Sequence, residues 1–232
     1  MTEPTVCAIM LTRDRPEFAR KAVECFRAQT YLDVAPCGLI VLDTGEGSER
    51  LKDTDDEVKT MWLPELRGRT IGALRNYVPG HLETPDVYLH WDDDDYSHPN
   101  RIAEQVALLQ SSGAEVVGYN ELLFERFGEA WLFSRTSGSY AVGASLCYWR
   151  KTWEKRKFRD ISQSEDWHFI QELNVCAVSA QVRASNRAPV EPRLIQRIHG
   201  RNSSNSYAEL KPPSWKRVPE WDSRMRSILG TP

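Results

Sequence analysis

The sequence predicts an α/β protein built on a mostly parallel sheet, and three observations carry that prediction. Short, continuous apolar runs recur at 6–11, 38–42 and 87–91, the pattern of strands buried on both faces. Segments with apolar residues at three-and-four spacing separate or follow them, chiefly 16–29 and 100–112. Four consecutive aspartates, Asp92 to Asp95, end the third run. They would sit at the carboxyl end of a strand, where open α/β sheets bind their ligands.

Each element has its own justification. The run at 6–11 stops at Thr12-Arg13-Asp14-Arg15-Pro16, and Pro16 suits the first turn of a helix over 16–29, with Asp14 as its cap. The run at 38–42 ends in Asp43-Thr44-Gly45-Glu46-Gly47-Ser48, a turn by composition. Residues 48–58 are charged and expected to be exposed, and 59–63 reads as a short third strand. Thr70 caps a helix that starts with Ile71-Gly72-Ala73-Leu74-Arg75-Asn76. The aspartate-bearing strand follows, then a helix over 100–112 with Ile102, Val106 and Leu109 inward. Strands and helices in this alternation imply crossover units and a parallel sheet.

The second half reads differently. Residues 115–125 and 130–134 suggest a strand pair joined near Gly128, and 145–150 another strand. Ser164-Glu165-Asp166-Trp167-His168-Phe169 opens a short helix, capped by Ser162 or Ser164 with acids in its first turn. From 184 to 213 the chain is rich in Pro, Ser, Asn and Arg and reads as loop. Residues 214–229, with Trp215, Val218, Trp221, Met225 and Ile228, read as an amphipathic helix that docks on the rest.

The totals exclude several classes. At 232 residues the length suits one large domain, or one with a small appendage. Thirty basic against 33 acidic residues give a net charge of -3, which argues against a general nucleic-acid binder. No apolar run is long enough to span a bilayer. Met1-Thr2-Glu3-Pro4 lacks the basic and apolar regions of a signal peptide. Five cysteines without a C-x-x-C spacing suit a reduced, cytoplasmic protein and not a zinc site. The eight tryptophans are either core or platforms for a ring-shaped ligand.

Adjacent carboxylates repel one another, so folding alone would not select four of them. A hard divalent cation, Mg²⁺ or Mn²⁺, would remove that cost and would leave coordination positions for phosphate oxygens. The competing reading is an acidic solvated loop ahead of the next helix.

These motifs, in this order, resemble family 2 glycosyltransferases of the GT-A fold, which transfer a sugar from a nucleotide donor. The resemblance runs over about residues 5 to 205. It rests on Thr12-Arg13-Asp14-Arg15-Pro16, Asp43-Thr44-Gly45, Gly72-Ala73-Leu74-Arg75-Asn76, Asp92-Asp93-Asp94-Asp95 with Pro99, Glu165-Asp166, and His199-Gly200-Arg201-Asn202-Ser203-Ser204. It implies a single-domain, Rossmann-like mixed sheet flanked by helices, with a catalytic domain over 1–213 and a helical tail over 214–232. The donor half would be about 1–112 and the acceptor half about 113–213. It also implies a nucleotide-diphospho-sugar donor, a UDP-sugar by preference, and Mn²⁺ or Mg²⁺.

The same resemblance implies roles for single residues. Thr12, Arg13, Asp43, Arg75, Asp92 and Asp93 would contact the nucleotide sugar, Asp92 at the ribose. Asp94 would hold the metal, with His199 as a further metal or diphosphate ligand. Asp95 would either cap helix 100–112 or support the metal through water. Asp166 would be the general base of an inverting transfer, oriented by Glu165, with Trp167 as a floor for a sugar ring. Independently of the resemblance, Arg183, Arg187, Arg193, Arg197 and Arg201 form a basic segment that either closes over the diphosphate or is a plain solvated loop. Where the family turn reads Asp-Asp-Gly-Ser, this chain has Asp43-Thr44-Gly45-Glu46, which leaves the base contact to Asp43 alone. The acceptor stays open among glycan, small molecule, protein and modified nucleobase. Two alternatives remain: a non-catalytic nucleotide- or sugar-binding module, and a nucleotidyltransferase. The absence of glycine between Thr12 and Pro16 speaks against the second.

Overall fold

Strand β1 (Val6–Thr12) is the axis of the sheet because its side chains are apolar on both faces. It pairs in parallel with β2 (Cys37–Asp43) on one side and β4 (Val87–His90) on the other, and β2 pairs in parallel with β3 (Val58–Trp62). The computed structural model describes residues 2–47, 50–51, 54–81, 85–135, 139–182, 190–199 and 214–229. Alternate residues of β1 feed opposite layers, as the two-residue period of a strand requires. Ala8 and Met10 pack with Phe26 of α1 (Pro16–Arg27) and Ile102 of α3 (Arg101–Ser112). Ile9 packs on the other face with Val78 of α2 (Ile71–His81) and Phe169 of α5 (Glu165–Ile170).

The expected helix signals mostly act as read. Pro16 opens α1, and Thr70 Oγ1 accepts from Ala73 N at 3.1 Å at the start of α2. Gly113, at φ 66, ends α3 in the left-handed conformation that glycine adopts at little cost. Three caps differ from expectation. Asp14 does not cap α1; it stands at φ 54, and its carboxylate accepts from Glu46 N, Gly47 N and Arg67. Ser164 precedes α5 at φ 60 with no side-chain cap bond, and Ser162 instead accepts from Ile71 N. Asp95 does not cap α3, whose N-cap is Asn100.

The antiparallel pairs gather in the second half. β8 (Cys147–Trp149) runs antiparallel to both β4 and β6 (Val116–Arg126), and β6 makes a hairpin with β7 (Glu129–Ser134) through Gly128 at φ 81. The eleven residues of β6 serve two neighbourhoods. Its first part lies beside β8 and β9 (Val175–Ser179), and its second beside β7 and β12 (Leu194–Ile198). β12 also takes on β5 (Tyr96–Ser97), the short strand after the aspartates. The segment 150–155, unread in the sequence, is helix α4 (Arg150–Lys155).

Two segments correct the sequence reading. Within 184–213, residues 191–198 are not loop: a short strand, β11 (Glu191–Pro192), pairs with β10 (Gln181–Val182), and β12 is buried at Leu194 and Ile195. The remainder of that stretch, with Arg183, Arg187 and Arg201, lies outside the described residues. Arg193 is spent on Glu104 at 2.6 Å, and Arg197 donates to the Leu229 carbonyl at 2.7 Å. The tail begins as a strand, β13 (Trp215–Arg217), paired with β7, before helix α6 (Asp222–Leu229). Its docking agrees with expectation, with Met225 and Leu229 buried beside Leu123, Ala130 and Ile195. All five cysteines are unpaired. Among the described residues, no helix is long and apolar enough to cross a membrane.

Candidate active site

The aspartate turn lies between β4 and β5, and its alternation splits the four side chains. Asp92, Asp94 and Asp95 each place a carboxylate oxygen within 4.8 Å of the other two. Asp93 turns the other way. It accepts from Thr12 Oγ1 and from Arg15 Nη2, both at 2.6 Å. Asp94 accepts from Arg15 at 3.0 Å and is 2.9 Å from His199 Nε2. His199 itself stacks on Phe18 with ring centroids 5.1 Å apart. Asp95 accepts from Gln196 Nε2 at 3.1 Å and Arg197 N at 3.2 Å, so β12 completes the turn. Three clustered carboxylate oxygens are a hard donor set that fits Mg²⁺ or Mn²⁺.

Burial and crowding set the charge of this cluster. Burial first, then the Asp94 charge, pushes Asp93 up to about 7, against the pull of Arg15. Burial raises Asp92 and, with the charges of Asp94 and Asp92, raises Asp95 well above the ordinary carboxylate value. Arg101 holds the turn from beneath. It is 1% exposed and donates to the carbonyls of His90 and Ala144, to Ser97 Oγ and to Gln105. Trp91 packs under the turn, its Nε1 on the Ala22 carbonyl.

A crevice at the ends of β1 and β2 is lined by Thr12, Asp14, Arg15, Asp43, Gly45 and Arg50. Asp43 Oδ1 accepts from Gly45 N at 2.8 Å, and burial raises its carboxyl above the usual range. Arg50 stacks 3.7 Å over the ring of Trp62, which is tied to the Gly45 carbonyl. Arg13 is exposed and is not among the residues lining this crevice. The positive φ at Asp14 reverses the chain between them, and Arg15 is the one that meets the aspartates.

The acids of α5 are held from α2. The Asn76 side chain bonds both backbone groups of Phe158, and Gly72 N donates to the Ile161 carbonyl at 3.0 Å. A Cβ at Gly72 would collide with the Arg159 carbonyl, so this approach of loop to helix needs glycine. Arg75 is buried and forms an ion pair with Glu165 at 3.5 Å. Its Nη1 lies against the His90 ring nitrogens, and His90 Nδ1 is 2.7 Å from the Gly143 carbonyl. Burial raises Glu165, opposed by Arg75 and helped by the charges of Asp166 and Asp92. Asp166 rests over the Cα of Gly143, where any Cβ would collide with its carboxylate, and accepts from Trp167 N at 2.7 Å. The rings of Trp167 and Tyr140 lie 6.1 Å apart.

Of the residues named from sequence, Thr12, Asp92, Asp93, Asp94 and His199 form one cluster, and Arg75, Glu165, Asp166 and Trp167 a second. Arg75 links the second to the strand that carries the first, through Glu165 at 3.5 Å and the His90 ring at 3.0 Å, two residues ahead of Asp92. Asp43 lies in the adjoining crevice. Of the two readings of Asp95, the structure rules out the helix cap and puts its carboxylate in the oxygen cluster; sequence reasoning missed the pairing of Arg15 and the roles of His90 and Arg101.

Solved structures share this architecture. The S. aureus TarS fragment 1–349 in complex with UDP-GlcNAc aligns with 88% of this chain and 61% of its own, at TM-score 0.57 and 12% identity. Mannosyltransferase PcManGT from Pyrobaculum calidifontis, in complex with GDP-Man and Mn²⁺, aligns with 80% of this chain and 59% of its own, at TM-score 0.56 and 14% identity. The fold is GT-A. This chain spans about three fifths of the length of those two structures. No family model and no curated protein matches the sequence.

Proposed function

We propose that this GT-A chain is a metal-dependent glycosyltransferase that moves a sugar from a nucleotide-diphospho-sugar, a UDP-sugar by preference, to an acceptor hydroxyl with inversion. One observation carries the reading: the cation-fitting cluster Asp92, Asp94 and Asp95 follows β4 directly, and Arg75 bridges the His90 ring of that strand to Glu165 of the acid pair Glu165 and Asp166. The GDP-Man and Mn²⁺ of one structural neighbour and the UDP-GlcNAc of another support it.

In this reading the crevice at Asp43 takes the nucleoside, and Thr12 and Asp93 border its path to the metal. Asp92, Asp94 and Asp95 would hold Mg²⁺ or Mn²⁺, which when bound would neutralise the charge of the departing diphosphate. Asp166 accepts the acceptor's proton as its oxygen attacks the anomeric carbon and the bond to the diphosphate breaks. Glu165 and Arg75 keep the surroundings of Asp166 fixed. Arg15 keeps the Asp93–Asp94 pair compensated. The unpaired thiols suit a reducing compartment, the cytoplasm.

The test is release of nucleoside diphosphate from a panel of UDP-, GDP- and dTDP-sugars with Mn²⁺ or Mg²⁺. One donor should be cleaved, and chelator should abolish the signal. Asp94→Ala should lose metal-dependent donor binding. Asp166→Ala should bind donor and lose turnover by roughly 10²–10⁴-fold, the usual worth of a general base. No cleavage and no metal-dependent nucleotide binding across the panel would leave a protein with an acidic turn and no donor site.

A further inference from the structure

Beyond the candidate base, the contacts continue in one direction. Glu165 pairs with Arg75 at 3.5 Å, Asp166 follows it and accepts from Trp167 N at 2.7 Å, and the Trp167 ring lies 6.1 Å from that of Tyr140. Tyr140 and Trp167 then present two rings inclined by 40°. Arg135, just past the end of β7, is exposed and lies over both, 4.4 Å from the Tyr140 centroid and 5.2 Å from that of Trp167. The metal cluster stands at one end of this series and Arg135 at the other.

Arg135 differs from the ion-paired arginines of this chain in its partners. Arg27, Arg67, Arg150, Arg156, Arg193 and Arg217 are each bonded to a carboxylate. Arg135 forms no ion pair with any described residue; its backbone amide donates to the Asn120 carbonyl at 2.8 Å, and its guanidinium lies over two rings, where those of Arg126 and Arg224 each lie over one. Stacking on aromatic faces uses the plane of a guanidinium and leaves its N–H edges for a ligand. Fixing the plane in advance also lowers the entropy cost of using those edges. A guanidinium edge matches phosphate and carboxylate in geometry and charge.

We propose that Arg135, with Tyr140 and Trp167, is an acceptor subsite selecting acceptors that carry a phosphate or carboxylate near the hydroxyl to be glycosylated. This rests on the transferase reading above. The rings supply apolar surface for the acceptor body, Arg135 binds its anionic group, and Asp166 lies alongside to take the hydroxyl proton. The donor's diphosphate has its own counter-charge at the other end of the series, so Arg135 serves the second substrate.

The experiment uses the full chain and the donor found by the panel above. Sugar transfer is measured to matched acceptors: glucose, glucose phosphate and glucuronate, and glycerol against glycerol phosphate. The anionic members should exceed their neutral partners by about tenfold or more in kcat/KM, as a charge-assisted hydrogen bond would give. The phosphate and carboxylate arms show which anion is read. Arg135→Gln should raise KM for the anionic acceptors and collapse the ratio, and Arg135→Lys should recover part of it. Arg224→Gln removes another arginine stacked on a tryptophan, 4.7 Å over Trp221, and should leave the ratio unchanged. Equal use of neutral and anionic acceptors, no stimulation by any anionic acceptor while donor is still cleaved, or an unchanged ratio in Arg135→Gln would each overturn the subsite. Loss of donor cleavage itself would instead overturn the transferase reading.

Discussion

The aspartate turn and helix α5 both bring carboxylates to the site, and they are secured by opposite means. In the turn, partners from distant parts of the chain hold the acids. Thr12 and Arg15 take Asp93, Arg15 and His199 take Asp94, and Gln196 with the Arg197 amide takes Asp95. On α5, Asp166 has its own helix amide and an empty place, the missing side chain of Gly143, over which its carboxylate lies. The turn is secured by what is present and the helix by what is absent. The first arrangement tolerates the loss of one partner. The second fails when one methyl is added.

Gly143→Ala sharpens that contrast most. The new Cβ must displace Asp166, and a displacement of about 1 Å at a reacting group costs on the order of 10²-fold. Turnover should fall by that much while metal-dependent nucleotide binding stays, as a KM-against-kcat comparison would show. Equal turnover in Gly143→Ala would mean that Asp166 is not held by this contact.

The turn makes a prediction about pH. The folded pKa values of Asp92, Asp93 and Asp95 lie above the unfolded carboxylate value. The sign follows from proton counting: with no cation bound, the folded state retains more protons, so its stability falls as pH rises from about 4 toward the region near 7 where Asp93 ionises. A cation takes the place of those protons. The rise in Tm on adding Mn²⁺ should therefore be several degrees at about pH 8 and clearly smaller at about pH 5.5. A pH-independent rise would place the cation elsewhere.

The smallest effect tests redundancy directly. Arg67 and Asp14 are both more than a third exposed, and Asp14 keeps two backbone amides after Arg67 is removed. Arg67→Ala should barely move the midpoint of a denaturant titration, because exposed ion pairs contribute little to stability. A larger cost would show that the turn around Asp14 depends on single partners after all.

Much of the fold was legible because β1, β2 and β4 are unbroken apolar runs and α3 buries Ile102, Val106 and Leu109 at helical spacing. β12 was not, because Leu194-Ile195-Gln196-Arg197-Ile198 lies in a stretch whose arginines, prolines and asparagines hide five residues of strand. Gln196 faces the aspartate turn and the Arg197 side chain the Leu229 carbonyl, reasons invisible without the partners. β13 was read as helix because Trp215, Val218 and Trp221 fit a period of three, yet its backbone completes the edge of β7. At the site, the acids announced themselves and their holders did not. The choice between Arg13 and Arg15 turns on the positive φ of Asp14, and no residue pattern encodes that backbone sign. His90 and Arg101 looked like ordinary polar residues, and their roles appear only when Gly143 and Ala144 are brought beside them.

The dependence of Asp95 on Gln196 and Arg197 has a consequence for the order of synthesis. A ribosome delivers the four aspartates about a hundred residues before it delivers β12. Until then the early strands can assemble and Arg15 can take Asp94, but Asp95 lacks Gln196 and the Arg197 amide, and Asp94 lacks His199. The emerging chain therefore carries a half-supported acidic turn through most of its translation, and β12 completes it. If the turn holds a cation, competence for it would arrive late and nearly at once.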